Sequence, residues 1–387
     1  MPSIQGNRRF KKETIQGDVS LEASCFSNLF KAFRMAIHPR KMVIAFIAVC
    51  MGGGLGLLLD LLCFHDSSRG LFKRTYILCS ETLHTGLAAF FRMDLDALYD
   101  ILKQFFLSFE HLFASCPLYF MVLGLLIVPI MVLAGGAICR LTALEFGRTE
   151  RPGLMESVHY CTARYRDFLL APIIPILWIG LACGLVVGVG LIGNLQGAGD
   201  IIIGLSMPFL WIVGFLMMLV VLGGIGGGSM MIPSVAYEGG DACMAINNVF
   251  RFVFQQPWRY LFYHLIALLY GVVTYLLVRA FLFGIMVMTY RCLCLGLFDP
   301  NDARLKRLWI PPVFWDLTNV QCLAETRIEW IGARMIYTAN LVLLGVLAAY
   351  VISFCYTIHT IIYALMRLHV DRVTFDVAGG HDRTVSS

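Results

Sequence analysis

Four side chains with the means to do acid–base or phosphate chemistry lie close together between residues 142 and 172. Glu145, Glu150, His159 and Arg166 could bind a phosphorylated headgroup or serve as acid and base. The sequence contains no Gly-x4-Gly-Lys-Ser/Thr, His-Glu-x-x-His, Gly-x-Ser-x-Gly or Cys-x-x-Cys motif. We therefore interpret the four as charges that hold a helix at a membrane surface, and we predict no enzymatic activity, no cofactor and no metal site.

The segments that flank these residues are strongly apolar. The chain is 59% hydrophobic and 14% charged, and several apolar runs exceed the roughly 20 residues that cross a bilayer core. These runs are apolar on every face, which favours helices over the alternating strands of a barrel. We predict an all-α polytopic membrane bundle with six spans, at about 42–64, 117–139, 168–195, 201–224, 260–284 and 339–362.

The distribution of Lys and Arg predicts the orientation of the spans. More of them lie before span one, in the second and fourth connections and after span six than in the other connections. Both termini and segment 142–172 are therefore expected in the cytoplasm of a bacterial inner membrane. No cleavable signal is visible, so span one is expected to direct insertion. We predict disorder in 1–19 and 373–387 and a single membrane domain over 20–372.

Three cytoplasmic segments have the periodicity of amphipathic helices, and a proline follows each one, at Pro39, Pro172 and Pro257. The apolar stripes are Phe26, Leu29, Phe33 and Ile37, then Leu154, Val158, Cys161 and Tyr165, then Ala242, Ile246, Val249 and Val253. The second and third helices also follow the similar sequences ALEFG and AYEGG. Amphipathic helix, proline connector and helical hairpin would then form a unit repeated three times.

Charged residues of these segments are predicted to lie at the level of the lipid headgroups, where basic groups attract anionic lipids. The candidates are Glu145, Arg164, Arg166, Glu238 and Arg251. The predicted partners are a bilayer with anionic headgroups and another membrane protein, and no nucleic acid is expected.

Two sequences carry a resemblance to other proteins. LEFGRTERPGLMESV and IIYALMRLHVD resemble the corresponding parts of uncharacterised bacterial six-helix membrane proteins. The chain is more distantly similar to the membrane domain that precedes some bacterial glycerophosphodiester phosphodiesterases. The likeness covers most of 117–372, and the soluble phosphodiesterase domain is absent. The resemblance therefore implies a membrane fold and little else.

Ionisable residues within spans are candidates for function. Asp60 and Arg279 fall near the outer ends of spans one and five, where we expect an intramembrane pair or snorkelling, with a solute gate as the alternative. His264 and His359 are expected to make hydrogen bonds between packed helices.

Glycines recur in the spans at spacings that allow helices to approach closely. Gly52 and Gly56 in span one, and Gly180, Gly184 and Gly188 in span three, predict tight helix packing. The run 223–228 contains five glycines and is a poor helix former. A broken helix at a transport site and a passive connector both account for it, and we favour the connector.

The outer connections are predicted to cover the bundle. A helix is expected over 95–113, and aromatic residues surround a diproline at 308–317. Among the 13 cysteines, six would face the outer side, where disulfides could form. Taken together, the sequence predicts a non-catalytic membrane protein that organises or anchors partners, with a transporter or lipid-handling protein as the alternative.

Overall fold

The computed structural model describes residues 29–63, 70–148, 153–194, 199–297, 303–314, 317 and 326–371. It is 93% helical and contains no strand in these residues, which confirms the all-α prediction. The helices are α1 (29–36), α2 (Pro39–Cys63), α3 (Leu71–Phe91), α4 (Leu95–Ser115), α5 (Pro117–Arg148), α6 (Leu154–Ala163), α7 (Tyr165–Gly193), α8 (Gly199–Glu238), α9 (Ala242–Gln255), α10 (Pro257–Leu297), α11 (Ala303–Leu308) and α12 (Arg327–Asp371).

Six helices are long and apolar enough to cross a membrane: α2, α5, α7, α8, α10 and α12. This agrees with the six predicted spans, but the helices are longer than the apolar runs. At 1.5 Å per residue, the 45 residues of α12 extend about 68 Å, roughly twice the thickness of a hydrocarbon core. The helices therefore continue past the apolar runs into polar sequence.

The chain divides into two compact units. The first comprises Met1–Ile44, Val132–Thr274 and Tyr350–Ser387, and the second comprises Ala45–Met131 and Tyr275–Ala349. Fully buried side chains of the first unit include Ile138 of α5, Val235 of α8 and Ile361 of α12. In the second unit, Leu71, Tyr119 and Leu123 form one buried cluster. Another buried cluster of this unit consists of Met286, Tyr290, Leu305, Trp309 and Leu317.

The buried face of α1 matches the predicted stripe only in part. Leu29, Ala32 and Ala36 are buried, whereas Ile37 is exposed. Ser353 donates a hydrogen bond to the carbonyl of Ala36 at 2.7 Å, a close approach that the small alanine side chains permit. Phe26 lies outside the described residues.

The proline connectors follow the prediction in two of three places. Pro39 and Pro257 are the first residues of α2 and α10, where a proline costs the helix no hydrogen bond. Pro172 instead lies inside α7, which begins at Tyr165 directly after α6. The prediction of a connector at Pro172 is therefore wrong, because the helix starts before the proline is reached.

The glycine run 223–228 is neither a break nor a connector, because α8 passes through it as one helix. A Cβ at Gly223 would lie 2.9 Å from the Phe250 ring, and one at Gly227 would overlap Val249. Because glycine has no side chain, α9 can pack closely against α8 at Gly223 and Gly227. The energetic cost of glycine in a helix is offset by this close packing.

Two further helices, α3 and α4, follow α2 in the second unit. The helix predicted at 95–113 is present as α4, whose N-cap Asp94 accepts a hydrogen bond from the Ala97 N–H at 3.0 Å. Helix α3, which precedes it, was not predicted. At the diproline segment, Trp309 is buried edge-to-face against Tyr290, with ring centroids 5.5 Å apart.

Candidate functional site

The charged groups of the first unit converge at the ends of its long helices. Lys41 lies in the first turn of α2 and Glu145 near the end of α5, and the Lys41 Nζ is 2.8 Å from a Glu145 carboxylate oxygen. The Lys41 side chain is only 2% exposed, whereas that of Glu145 is 31% exposed. The pair therefore neutralises a buried ammonium and fixes α2 against α5.

A second carboxylate, Glu238 at the end of α8, is bonded through both of its oxygens. One oxygen accepts from the Asn248 amide at 2.6 Å. The other accepts from the Tyr363 hydroxyl at 2.5 Å and lies 3.5 Å from the Arg367 Nε. Ser234 in turn donates to Tyr363 at 3.0 Å. This network joins α8, α9 and α12 through a side chain that is only 8% exposed.

Two arginines bind main-chain carbonyls at the same end of α8. Arg140 Nη1 donates to the Ala236 carbonyl at 2.9 Å, and its guanidinium lies 4.0 Å from the centroid of the Tyr160 ring. Arg164 donates to the carbonyl of Gly239. The last carbonyls of a helix are negative, so these cations attach α5 and α6 to the end of α8.

The five charged residues predicted at the level of the lipid headgroups differ in their surroundings, and their position relative to lipid stays a prediction. Glu145, Arg164 and Glu238 bind groups of other helices. Arg251 is half-buried, with its guanidinium 5.6 Å from the Phe252 ring, and Arg166 is exposed. A charge removed from water needs a partner within the protein, and the converging helix ends provide it.

The residues that suggested acid–base chemistry have different surroundings where the structure describes them. Glu145 is engaged by Lys41, and His159 and Arg166 are exposed. Glu150 lies outside the described residues.

Asp60 in the second unit caps a helix and does not form the predicted pair with Arg279. Its carboxylate accepts from the backbone N–H groups of Phe72 and Lys73 at 3.0 and 3.2 Å, and from the Tyr119 hydroxyl. The first N–H groups of a helix have no acceptors within that helix. The carboxylate of Asp60 on α2 provides acceptors for the first N–H groups of α3.

Arg279 is 2% exposed and forms its own network. Its Nε and Nη2 donate to the Phe314 carbonyl at 3.0 and 2.9 Å. Its Nη1 lies 2.7 Å from the Tyr275 hydroxyl and 3.0 Å from His84 Nε2. The guanidinium therefore attaches α3 and the segment after α11 to α10.

The two intramembrane histidines are neighbours in the first unit. His264 on α10 and His359 on α12 have ring centroids 5.5 Å apart. Each Nδ1 lies beside the carbonyl four residues earlier in its own helix, at 3.0 Å from Tyr260 and 2.6 Å from Cys355. The predicted hydrogen bonds between helices are thus replaced by bonds within each helix. The Tyr260 hydroxyl lies 3.1 Å from His264 Nε2.

The two groups of glycines differ in their surroundings. A Cβ at Gly56 would overlap the Phe72 ring, and one at Gly52 would lie 3.6 Å from Met131, as expected for packed positions. At Gly180, Gly184 and Gly188 a Cβ would meet no atom within 4 Å in the described part of the chain. In the described part of the chain no helix covers these three glycines, so the structure shows no packing partner for them there.

The cysteines that the structure describes are all free thiols. Burial raises the pKa of the Cys161 thiol on α6 to about 12, although Arg140 opposes the rise. Partial desolvation also raises the pKa of Cys79 on α3, although this residue is exposed. A thiol whose pKa is raised in this way is a poor nucleophile at neutral pH.

Comparisons with protein-family models, curated proteins and solved structures give no match for this chain.

Proposed function

We propose that this integral membrane protein is a non-catalytic component that organises or anchors another membrane protein. The observation that carries the proposal is the open apolar surface of the α7–α8 hairpin. None of the residues in the most apolar window of α8, a helix described along its whole length, is buried. On α7, Leu177 and Leu181 are 68% and 74% exposed.

The open glycines favour a protein partner over lipid alone on one face of α7. Leu177, Gly180, Leu181, Gly184 and Gly188 lie on this face at helical spacing, which we name the open face of α7. Exposed leucines are well accommodated by acyl chains, but repeated glycines let another helix approach the backbone closely. The proposed occupant is therefore a transmembrane helix of a partner protein.

The charged side chains of the first unit bind other groups of the protein, which supports a non-catalytic role. Glu145 and Glu238 bind groups of neighbouring helices, and Arg140 and Arg164 bind carbonyls. General acids and bases must reach a substrate to act. The transporter alternative is based on the repeats and on a broken helix at 223–228, and the continuity of α8 removes the second argument.

The excess of Lys and Arg supports a cytoplasmic location for both termini in a bacterial inner membrane. This orientation predicts that a single cysteine at position 156 of α6 is labelled from the cytoplasm only, and one at position 100 of α4 from outside only. Labelling of position 156 from outside would reverse the proposed orientation.

Photo-cross-linking in cells tests the organising role. A photoreactive side chain at position 184 lies on the open face, whereas one at Leu268 of α10 replaces another exposed apolar side chain and serves as the control. We expect a discrete protein adduct of one mass from position 184 and none from position 268. Deletion of the gene for that partner should abolish the adduct. Only lipid adducts at both positions would contradict the proposal.

A bulky substitution separates docking from folding. Gly184→Leu adds a side chain where the chain itself has open space, so the purified protein should keep its thermal stability in detergent. The same variant should lose co-purification of the cross-linked partner. Gly56→Leu is the matched control, because its side chain would collide with Phe72 and lower the stability of the protein itself. Loss of stability in Gly184→Leu equal to that in Gly56→Leu would count against an open face.

A further inference from the structure

We infer that α4 lies along the surface of the bilayer and inserts one row of apolar side chains at the boundary between lipid headgroups and acyl chains. Six apolar residues recur three and four positions apart on one side of α4, and each is between 38% and 77% exposed. We name this row the exposed stripe of α4: Leu95, Tyr99, Leu102, Phe106, Phe109 and Phe113. The inference does not depend on the proposed organising role.

The contacts of α4 with neighbouring helices use a different side of the helix. A Cβ at Gly86 of α3 would lie 4.0 Å from Leu98, and Leu112 packs against the buried cluster around Tyr119. The apolar residues on this side are half-buried, at positions 98, 101, 105 and 112. The exposed stripe is therefore a second apolar surface. The structure describes α4 along its whole length, and none of its residues is buried.

Both ends of the segment formed by α3 and α4 are held close to membrane-spanning helices. At its beginning, Asp60 near the end of α2 accepts from the first N–H groups of α3. At its end, Cys116 alone separates α4 from α5, a helix apolar enough to cross a membrane. The first two turns of α5 already expose the apolar side chains of Leu118 and Met121. The end of the exposed stripe therefore lies where the acyl chains begin.

The length of the stripe favours a position along the surface. From Leu95 to Phe113 it extends about 27 Å at 1.5 Å per residue. A helix that projected away from the bilayer would leave most of these large apolar side chains in water. Cys116 has a non-helical backbone, with φ −147° and ψ 70°, so α4 does not continue α5 as one helix. A helix along the surface brings all six side chains to the lipid at one depth.

The charged residues of α4 define the side that faces water. All four are exposed and lie outside the stripe: Asp96, Asp100, Lys103 and Glu110. Three carboxylates and one ammonium make this side acidic, so anionic headgroups do not attract it. Insertion therefore depends on the apolar side chains, and zwitterionic lipid is a sufficient partner.

The composition of the stripe selects lipid over a transmembrane helix of another protein. Its members are leucine, phenylalanine and one tyrosine, without the small residues that let helices approach closely in membranes. Tyrosine suits the headgroup level, because its ring contacts the apolar region while its hydroxyl stays in water. The open face of α7 differs in this respect, because it carries repeated glycines.

Fluorescence quenching of the full-length protein in phosphatidylcholine vesicles tests the inference. A bimane label is attached to a single cysteine, in a variant without the native cysteines, at position 102 or 106 of the stripe or at position 100 or 103 of the charged side. Each labelled protein is first shown to melt near the wild-type temperature in detergent. We expect brominated acyl chains to quench the stripe labels at least about twofold more than the others, and aqueous iodide to give the reverse order.

Two results would overturn the inference. Equal quenching by iodide at all four positions would place the stripe in water. Shielding of positions 102 and 106 from both quenchers would show that a protein covers it. A photoreactive side chain at position 106 of the otherwise native protein gives an independent readout. We expect a lipid adduct there, and a protein adduct would contradict the inference.

A charge placed in the stripe provides a matched pair of variants. Phe106 is largely exposed, so Phe106→Glu should melt near the wild-type temperature in detergent. In vesicles it should reduce the lipid quenching of a label at position 102 by about half or more, because a carboxylate resists transfer into the acyl region. Lys103→Glu, on the charged side, should leave this quenching unchanged. Equal lipid quenching in both variants would count against insertion of the stripe.

Discussion

Lys41 and Glu145 form an ion pair of 2.8 Å between the beginning of α2 and the end of α5. The ammonium is almost completely removed from solvent, whereas the carboxylate retains part of its exposure. The two residues therefore differ in what their loss leaves behind. Loss of the carboxylate leaves a buried ammonium without a partner, whereas loss of the ammonium leaves a carboxylate that is partly exposed.

Because the two side chains differ in exposure, the two single variants should differ in their free energy of unfolding. Glu145→Gln should lower the free energy of unfolding by about 3–5 kcal/mol, the cost of an uncompensated buried charge. Lys41→Met should cost clearly less, because the Glu145 carboxylate is partly exposed. Thermal unfolding in detergent measures both, with the exposed Arg166→Gln as control. Equal losses in the two variants would contradict the assigned burial.

Neighbouring glycines of the run in α8 should respond oppositely to alanine. A Cβ at Gly227 would overlap Val249, so Gly227→Ala should destabilise the protein by about 1–3 kcal/mol. A Cβ at Gly228 meets nothing within 4 Å, so Gly228→Ala should stabilise by up to about 1 kcal/mol through helix propensity. Unfolding temperatures that rise in both variants would indicate that α9 does not pack on Gly227.

Arg279 should not tolerate lysine. Its guanidinium donates twice to the Phe314 carbonyl and also reaches Tyr275, which a single ammonium cannot reproduce. Arg279→Lys should therefore lower the free energy of unfolding by about 2–3 kcal/mol. Arg291→Lys, on an exposed position of the same helix, should have no effect. If neither substitution changes the free energy of unfolding, the guanidinium network contributes little to stability.

Cys161 should resist alkylation in the folded protein. Burial raises its pKa to about 12, so the thiol stays protonated as the pH rises from 7 to 10, and little of the reactive thiolate forms. The exposed Cys243 on α9 is the control and should react with maleimide in this range. Peptide mass spectrometry after brief labelling distinguishes the two. Labelling of Cys161 as rapidly as Cys243 would contradict its burial.

The six spans and α4 could be predicted from the sequence because their signals are local. An apolar run long enough for a bilayer, or apolar residues three and four positions apart, indicates a helix without knowledge of its neighbours. The ends of α8, α10 and α12 could not be predicted, because these helices continue beyond the apolar runs into more polar sequence. The buried face of α1 could be predicted only in part, because the alanines at 32 and 36 mark a close contact without raising hydrophobicity.

The candidate sites were harder to predict because their partners are distant in the sequence. Nothing near Glu145 identifies Lys41, and nothing near Arg279 identifies the carbonyl of Phe314. Asp60 and Arg279 have opposite charges and similar predicted depths, so pairing them was reasonable. Backbone N–H groups at the beginning of α3 were an alternative partner for Asp60, and α3 itself was not predicted.

The central claim is that the charged side chains of the first unit hold helices together and that the open face of α7 carries the function. Lys41→Met combined with Glu145→Leu replaces the ion pair by apolar side chains, a change that is often neutral or stabilising for a buried pair. The most direct test is the yield of the protein adduct from position 184 in this double variant. We predict a yield equal to that of the wild type. A double variant that melts at the wild-type temperature but has lost the adduct would contradict the account.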